Sequence, residues 1–376
     1  MGAENSNQTD KPRFVGEWVR LGELVSIKTG KLDANAADED GIYPFFTCAE
    51  NTLRINTAAY DCECVLVAGN GDLNVKYYNG KFNAYQRTYI IEVLDRRVLD
   101  PFYLYQFLKS YVQTLREQSI GGVIKYIKLC NLKDALIPLP DVQIQQNIVG
   151  EFEKMDLVLE KQSDLSSHLD ALVKSRFVEM FGAFDLSLQK SAWYPIKQLG
   201  QVVSGATPKT SIGKYWDGGI KWITPAELSD MSGWVYDSTR HITEEGLNSC
   251  GARMMPVGTV ILSSRAPIGK MALLGDSMCC NQGFKNIVCG DRIIPEYLYY
   301  LLGFNAAYLN SLGRGATFKE LSKRSVEEIK IPVPPIKAQG EFVAFTQQVD
   351  KLRFAIQEQI KKLETLKASL MQEYFG

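Results

Sequence analysis

The chain carries one sequence pattern twice, and the two copies align without a gap at an offset of 194 residues. Adding 194 carries Ile137-Pro138-Leu139-Pro140 onto Ile331-Pro332-Val333-Pro334, and Glu179-Met180-Phe181-Gly182 onto Glu373-Tyr374-Phe375-Gly376. A repeat of this length indicates two duplicated domains rather than a solenoid of short units. The chain is therefore predicted to fold into two similar halves, and its function is expected to use two similar but unequal parts.

A long segment with apolar residues at helical spacing follows each IPxP motif. In the second copy a seven-residue seam and its companion stripe comprise Phe342, Val349, Ile356, Leu363 and Leu370, with Phe345, Leu352, Ile360 and Leu366. The first copy keeps the frame through Ile148, Met155 and Leu169, with Val158, Leu165 and Leu172 beside them, but has Gln162 and Arg176 in the seam. Each segment is predicted to form one helix of about 35 to 40 residues, roughly 55 Å long.

Both predicted helices carry a heptad seam and have equal length, which favours a coiled coil between them. An antiparallel pair would place the two domains at opposite ends of a rod, related by a pseudo-twofold axis. The alternative is that each helix belongs to a bundle inside its own domain.

Two segments rich in Val, Ile, Tyr and Phe, punctuated by Gly and Asn, alternate with the helices and are typical of short strands. The predicted fold class is mixed α/β (α+β), with a domain over residues 1–136, a central helical region over 137–182, a second domain over 183–330 and a C-terminal helical region over 331–376. The two domains open and close alike but differ in their middles. A common frame is therefore expected to present two different surfaces.

The composition excludes several classes of protein. With 45% hydrophobic and 23% charged residues, the chain is typical of globular proteins, and the lack of an export signal or apolar span predicts a cytoplasmic location. The two histidines, His168 and His241, and the absence of a CxxC pair make a zinc site unexpected. The eight cysteines are predicted to be buried, reduced thiols. Because the net charge is -1, phosphate binding would need local basic clusters or a basic partner.

Two polar loops at equivalent places in the domains are candidates for reading DNA bases. Asn83-Ala84-Tyr85-Gln86-Arg87 follows a strand, loop, strand unit in the first domain, and Asn281-Gln282-Gly283-Phe284-Lys285 follows one in the second, so that Gln86 and Gln282 coincide at an offset of 196. Gln and Asn side chains pair bidentately with adenine, and Arg and Lys with guanine. The alternative is that both segments are polar hairpin tips.

A glycine loop with a basic neighbour also occurs twice. Gly121-Gly122-Val123-Ile124-Lys125 matches Gly315-Ala316-Thr317-Phe318-Lys319. Exposed backbone amides beside Lys or Arg suit phosphate contact, although a glycine loop before a buried hydrophobic residue would have the same sequence. The predicted DNA-binding residues are Asn70, Lys76, Tyr77, Lys81, Asn83, Tyr85, Gln86, Arg87 and Lys125 in the first domain, and Lys209, Tyr215, Arg265, Lys270, Asn281, Gln282, Lys285, Arg314 and Lys319 in the second.

One tetrapeptide suggests catalysis but lacks what that chemistry requires. Asp100-Pro101-Phe102-Tyr103 is similar to the (Asn/Asp)-Pro-Pro-(Tyr/Phe) loop of amino-methyltransferases, but the second proline is missing. Neither a glycine-rich motif for the methyl donor nor a P-loop accompanies it. Its counterpart Ile294-Pro295-Glu296-Tyr297 keeps only the proline and the tyrosine. A proline in the first turn of a helix explains both copies without any catalytic role. The chain is therefore predicted to bind rather than to react, with no catalytic, cofactor or metal site.

Several further segments carry a resemblance to a known protein family. Besides Ile137–Gly182 and Ile331–Gly376, they are Leu21-Gly22, Leu199-Gly200, Ser204-Gly205-Ala206-Thr207-Pro208, Tyr215-Trp216, Ile220-Lys221-Trp222-Ile223 and the stretch from Asn83 to Tyr89. With the alternation of domains and helices, they resemble the specificity subunit of type I restriction-modification systems over nearly the full chain. Ala206 stands where the family often has a second glycine, a difference that we expect to have no effect.

The resemblance implies a DNA-recognition subunit in which each domain reads half of a bipartite, asymmetric site through the major groove, with the helices as a ruler. It also implies partners: two methyltransferase subunits that use S-adenosylmethionine, and restriction subunits that use ATP and Mg²⁺, whereas this chain holds no cofactor. Two alternatives are a non-catalytic coiled-coil adaptor with two protein-binding domains, and a self-contained methyltransferase.

Overall fold

A computed structural model of the protein describes residues 16–265, 267–314 and 319–376. The chain divides into two compact units: the first runs to Asp164 and includes Ile356–Gly376, and the second is Leu165–Ala355. Each unit combines strands, short helices and a part of both long helices. The predicted mixed α/β fold class is confirmed.

The first unit is built around a six-stranded sheet with the order β2-β7-β5-β6-β3-β4. The strands are β1 (Glu17–Arg20), β2 (Val25–Thr29), β3 (Tyr43–Phe46), β4 (Leu53–Ile55), β5 (Tyr60–Ala68), β6 (Val75–Ala84), β7 (Thr88–Val93) and β8 (Leu136–Leu139). The helices are α1 (Leu21–Leu24), α2 (Pro101–Gln118), α3 (Leu129–Lys133) and α4 (Val142–Phe181), of which the first unit contains the part up to Asp164. Cys64–Ala68 is buried along its whole length, as expected of a strand covered on both faces.

The second unit repeats the centre of this sheet and changes its periphery. Its strands are β9 (Tyr194–Pro195), β10 (Gly200–Ser204), β11 (Trp216–Ile223), β12 (Met231–Val235), β13 (His241–Ile242), β14 (Val260–Ser263), β15 (Met271–Leu274), β16 (Cys279–Cys280), β17 (Phe284–Cys289) and β18 (Lys330–Ile331). Its helices are α5 (Glu244–Asn248), α6 (Pro295–Gly303), α7 (Ala306–Ser311), α8 (Lys323–Glu327) and the first part of α9 (Ile336–Phe375). The order β10-β17-β14 corresponds to β2-β7-β5. The strand β11 pairs in parallel with β16 and antiparallel with β13, as β3 does with β6 and β4, whereas β12 adds an edge strand that pairs in parallel with β15.

A buried glutamine holds the same three segments together in each unit. Gln145 Oε1 accepts a hydrogen bond from the Asp100 backbone N–H at 2.9 Å, and its Nε2 donates to the carbonyls of Val98 and Pro140, both at 2.8 Å. Gln339, at the offset of 194, makes the corresponding bonds to Ile294, Arg292 and Pro334. Each glutamine lies in the first turn of a long helix. It therefore joins that helix to the IPxP turn before it and to the start of a domain helix.

Replacing Gln145 by alanine is expected to destabilise the protein by about 2 to 3 kcal/mol, because a buried N–H and two carbonyls lose their partner. Chemical unfolding of the full chain measures the effect. Gln143→Ala is the matched control, since Gln143 is an exposed residue of the same helix turn. Equal stability of the two variants would show that water replaces the Gln145 amide.

The tetrapeptide Asp100–Tyr103 has a structural role, as the sequence predicts. Asp100 is the N-cap of α2, where its carboxylate accepts hydrogen bonds from the N–H groups of Phe102 at 2.8 Å and Tyr103 at 3.0 Å. Pro101 occupies the first helical turn, as predicted. The Tyr103 hydroxyl donates to the Pro138 carbonyl at 2.9 Å, which again joins α2 to the IPxP turn.

The two long helices are each 40 residues long, and they pack on each other in antiparallel orientation. In the first unit, three side-chain pairs follow in order along α4: Glu151 with Tyr374, Asp156 with Lys367, and Gln162 with Gln359. In the second unit, Asp170 forms an ion pair with Arg353, and Arg176 lies over the Phe345 ring at 5.9 Å. The predicted antiparallel coiled coil is therefore confirmed, and the alternative of two separate bundle helices is excluded.

The seam on α9 is buried or half-buried, with Leu363 and Leu370 half-buried, whereas part of the companion stripe is exposed. Phe342, Val349 and Ile356 are buried, whereas Leu352 and Leu366 are 56% and 50% exposed. On α4, Val158, Leu165 and Leu172 are between 44% and 48% exposed. The stripe remains exposed at these positions because a helix pair alone covers only one side of each helix.

All eight cysteines lie in described segments and are free thiols. Cys64, Cys279 and Cys280 are buried, whereas Cys130 is exposed, so that the prediction of burial holds only in part. Along the described ranges, the structure contains no helix with the length and apolar character of a membrane span.

Candidate nucleic-acid interface

In the first unit, backbone hydrogen bonds bring three separate loops together at one end of β5 and β7. The Gly69 N–H donates to the Arg87 carbonyl at 2.8 Å, and the Ile127 N–H donates to the Gly69 carbonyl at 2.9 Å. The Gly71 N–H donates to the Lys125 carbonyl at 2.9 Å. The predicted segments around Asn70, Gln86 and Lys125 therefore form one surface.

The second unit repeats this hydrogen-bond scheme with different residues. The Ser264 N–H donates to the Gly283 carbonyl at 2.7 Å, and the Leu321 N–H donates to the Ser264 carbonyl at 2.7 Å. Gly283 lies 196 residues after Arg87, so the 85–87 loop of the first unit and the 281–283 loop of the second are structurally equivalent. Their middle members, Gln86 and Gln282, both have exposed side chains.

A glycine packs under each of these loops. The Gly30 N–H donates to the Thr88 carbonyl at 3.1 Å, and the Gly205 N–H donates to the Phe284 carbonyl at 3.1 Å. A Cβ at Gly30 would lie 2.2 Å from the Ala84 carbonyl oxygen, and one at Gly205 would lie 2.0 Å from that of Asn281. Glycine is required at both positions because the backbones approach this closely. The next residue, Ala206, has no left-handed backbone, in agreement with the expectation that alanine is harmless there.

The two units anchor their loops by different chemistry. In the second unit the Lys285 ammonium is buried, and it donates to Ser264 Oγ at 3.2 Å and pairs with the Glu320 carboxylate at 3.6 Å. Arg265 Nε lies 3.4 Å from the same carboxylate. Burial lowers the pKa of Lys285, and the negative charge of Glu320 opposes that shift. In the first unit a tyrosine takes the place of Lys285: the Tyr89 hydroxyl donates to the Ile127 carbonyl at 3.1 Å.

The nine predicted residues of the first unit fall into three groups: exposed, half-buried and internally hydrogen-bonded. Gln86, Arg87, Lys125 and Lys81 are exposed, although Lys81 lies on β6 opposite Asp61 rather than on the loop surface. Asn70 and Tyr85 are half-buried within the loop surface. The remaining three have internal partners: Lys76 Nζ donates to the Ala49 carbonyl, Tyr77 donates to Glu63, and the buried Asn83 donates to the Thr57 carbonyl.

The second unit shows the same division. Gln282, Lys209, Arg265, Arg314 and Lys319 have exposed side chains, and the Arg314 and Glu320 backbones pair with each other. Three predicted residues have internal partners: Lys270 Nζ donates to the Leu228 carbonyl, Asn281 Nδ2 donates to Thr207 Oγ1, and Lys285 is held as described above. Tyr215 is half-buried. Residues Gly315–Phe318 of the second glycine loop lie outside the described residues.

Sequence reasoning missed two kinds of residue at these surfaces. Glu320 organises the second surface through Lys285 and Arg265, and only its position next to Lys319 in the repeated loop could have indicated it. Thr207 accepts a hydrogen bond from Asn281 Nδ2, a contact that its place in the Thr207-Pro208-Lys209 segment does not indicate. In the described ranges, no cluster of three or more His, Cys, Asp or Glu residues could hold a metal ion.

Comparison with known proteins identifies the family that both units match. The family model described as "Type I restriction modification DNA specificity domain" matches residues 16–165 and again residues 190–365. The type I restriction enzyme EcoDI specificity subunit of Escherichia coli is 28% identical over 406 aligned residues, covering 96% of this chain and 88% of the relative. The MjaIX specificity subunit of Methanocaldococcus jannaschii is 36% identical over 210 residues, covering 54% of this chain and 48% of the relative.

Two solved structures share the fold over nearly the whole chain. The S subunit of a type I restriction-modification system from M. genitalium has a TM-score of 0.61 at 16% identity, covering 100% of this chain and 98% of its own. A chain from structural work on complex assembly and conformational transition of the type I R-M system has a TM-score of 0.62 at 18% identity, covering 97% of this chain and 98% of its own.

Proposed function

The chain belongs to the type I restriction-modification DNA specificity family, and from that membership we propose that it is the sequence-recognition subunit of a type I restriction-modification complex. Each unit reads one half of a bipartite, asymmetric DNA site. The observation that carries this proposal is the repeated hydrogen-bond scheme, which presents Gln86 and Gln282 at equivalent exposed positions on two otherwise different surfaces.

The side chains at each surface suit direct reading of base edges. Gln86 and Arg87 are adjacent and exposed, which supplies one amide for adenine and one guanidinium for guanine. In the second unit Arg265 follows Ser264 and Gln282 precedes Gly283, and the backbones of Ser264 and Gly283 are hydrogen-bonded to each other. The residues with internal partners, such as Lys285 and Lys76, position the loops in this account and do not contact DNA themselves.

The exposed companion stripe of the long helices supports docking of methyltransferase subunits. Val158, Leu165 and Leu172 recur every seven residues on α4 and remain between 44% and 48% exposed, so that this heptad stripe is not covered by any of the residues that the structure describes. Helices of methyltransferase subunits, two per specificity subunit, cover these residues in our proposal. Restriction subunits complete the complex.

The chemistry resides in the partner subunits. This chain is non-catalytic and holds no cofactor in our account; S-adenosylmethionine is used by the methyltransferase subunits, and ATP with Mg²⁺ by the restriction subunits. The net charge of -1 agrees with a complex in which the partners supply much of the contact to DNA phosphates.

Co-purification with a cognate methyltransferase subunit, followed by DNA-binding measurements, tests the proposal. We expect the complex to bind DNA carrying both half-sites at least 1000-fold more tightly than DNA lacking them, on the order of the specificity ratios of other DNA-reading proteins. A stable complex without any DNA sequence preference would support the coiled-coil adaptor instead.

A further inference from the structure

The glycine loop of the first unit has a stiff base and a protruding tip, Gly121–Ile124. At the base, the Ile120 N–H donates to the Tyr126 carbonyl at 3.0 Å, and the Tyr126 N–H donates to the Ile120 carbonyl at 2.9 Å. Gly121 has a φ of +120°, and a Cβ there would lie 2.5 Å from the Ile124 carbonyl oxygen. The tip is therefore held in one tight turn that only glycine permits.

The tip presents apolar side chains to solvent. Val123 has a relative exposure of 103%, and Ile124 is 62% exposed. Large apolar side chains that project together from a constrained loop gain free energy when a partner covers them. Phosphate contact, the function expected from the glycine pair, would not use these two side chains.

The surroundings of the tip indicate what covers it. Residues 118–133 contain Lys125, Lys128 and Lys133, all exposed, and no Asp or Glu; the nearest acidic residues along the chain are Glu117 and Asp134 at its two borders. The base of the tip is bonded through Lys125 and Ile127 to the Gly69–Gly71 loop, which is bonded in turn to Arg87. An apolar tip within a basic segment, continuous with the 85–87 loop, is complementary to a DNA groove rather than to an apolar protein surface.

We propose that Val123 and Ile124 enter a DNA groove beside Gln86 and make apolar contact with base edges of the first half-site, such as thymine methyl groups. This inference rests on the proposed function and adds to it a specificity determinant that forms no hydrogen bond. The counterpart residues of the second unit, Thr317 and Phe318, lie outside the described residues, so that the inference concerns the first unit alone.

The test compares three variants of the full chain in complex with its methyltransferase subunit. Val123→Ser/Ile124→Ser removes the apolar tip. Ile42→Ser/Leu94→Ser is the matched control, because these residues are 69% and 64% exposed at the ends of β3 and β7 that lie away from the 85–87 loop. Lys125→Ala shows how the loss of a phosphate contact changes the dependence of affinity on salt. Affinity for the cognate duplex is measured for each variant from about 50 to 200 mM salt, a range over which phosphate contacts weaken strongly.

The tip variant is expected to bind roughly 10- to 100-fold more weakly at every salt concentration, with an unchanged dependence of affinity on salt, because it loses apolar contact and no ion pair. The control should match the native complex, and Lys125→Ala should reduce the salt slope by about one. Native affinity of the tip variant would overturn the inference, as would failure of that variant to bind the methyltransferase subunit. If the native complex has no preferred DNA site, the proposed function itself fails, which is a distinct outcome.

Discussion

Replacing Gln86 by alanine is expected to relax recognition of one half of the DNA site, and replacing Gln282 is expected to relax recognition of the other half. Each glutamine is exposed in the middle of a loop that is fixed by the same backbone bonds, to Gly69 in one unit and to Ser264 in the other. A bidentate contact between an amide side chain and a base contributes about 1 to 3 kcal/mol of discrimination. Each variant should therefore lose roughly 5- to 150-fold in selectivity at one base pair.

Binding to duplexes in which each half-site is changed separately measures this effect. Gln113→Ala and Gln198→Ala are matched controls, because both glutamines are exposed and lie on α2 and between β9 and β10, away from the two loops. The controls should discriminate like the native protein. If Gln86→Ala and Gln282→Ala both relaxed the same half-site, the assignment of one half-site to each unit would be wrong.

Deleting one matched heptad from both long helices is expected to shorten the preferred spacer between the half-sites. Residues 159–165 of α4 and 357–363 of α9 are suitable, because Gln162 and Gln359 pair with each other and are removed together. A deletion of seven residues keeps the apolar seam in frame and removes about 10 Å of helix. At about 3.4 Å per base pair, the spacer should shorten by about three base pairs.

Selection of bound sites from a library of spacer lengths measures the change. The reciprocal variant, with one matched heptad inserted at the same place in both helices, should lengthen the preferred spacer by the same amount. Opposite shifts in the two variants would also exclude a general loss of stability as the cause. A spacer that stays the same in both variants would show that the helices do not set the half-site separation.

The repeat in the sequence was sufficient to predict the main elements of the fold. The offset of 194 and the heptad seam correctly predicted two helices of equal length that pack on each other, whereas the seam itself was compatible with either direction. The seam also marked Gln162 as an unusual residue, and the structure pairs it with Gln359. The burial of Gln145 and of Gln339, each in its own unit, was not predicted. A glutamine in the first turn of a polar helix gives no sequence signal that it is buried.

The candidate site was less predictable than the fold. The equivalence of Gln86 and Gln282 follows from the aligned ends of the two domains, and the structure brings both loops to the same place in their units. Whether a basic side chain faces solvent depends on contacts that are distant in sequence. Lys285 is buried because Ser264 and Glu320, 21 and 35 residues away, surround its ammonium group, whereas Arg87 at the first loop remains exposed.

The most direct test of the account is co-expression of the chain with its methyltransferase subunit, followed by single-molecule sequencing of the host DNA for N6-methyladenine. The account predicts methylation of one bipartite motif with a fixed gap between two unlike halves. The absence of methylation despite a stable complex of the two proteins would contradict it.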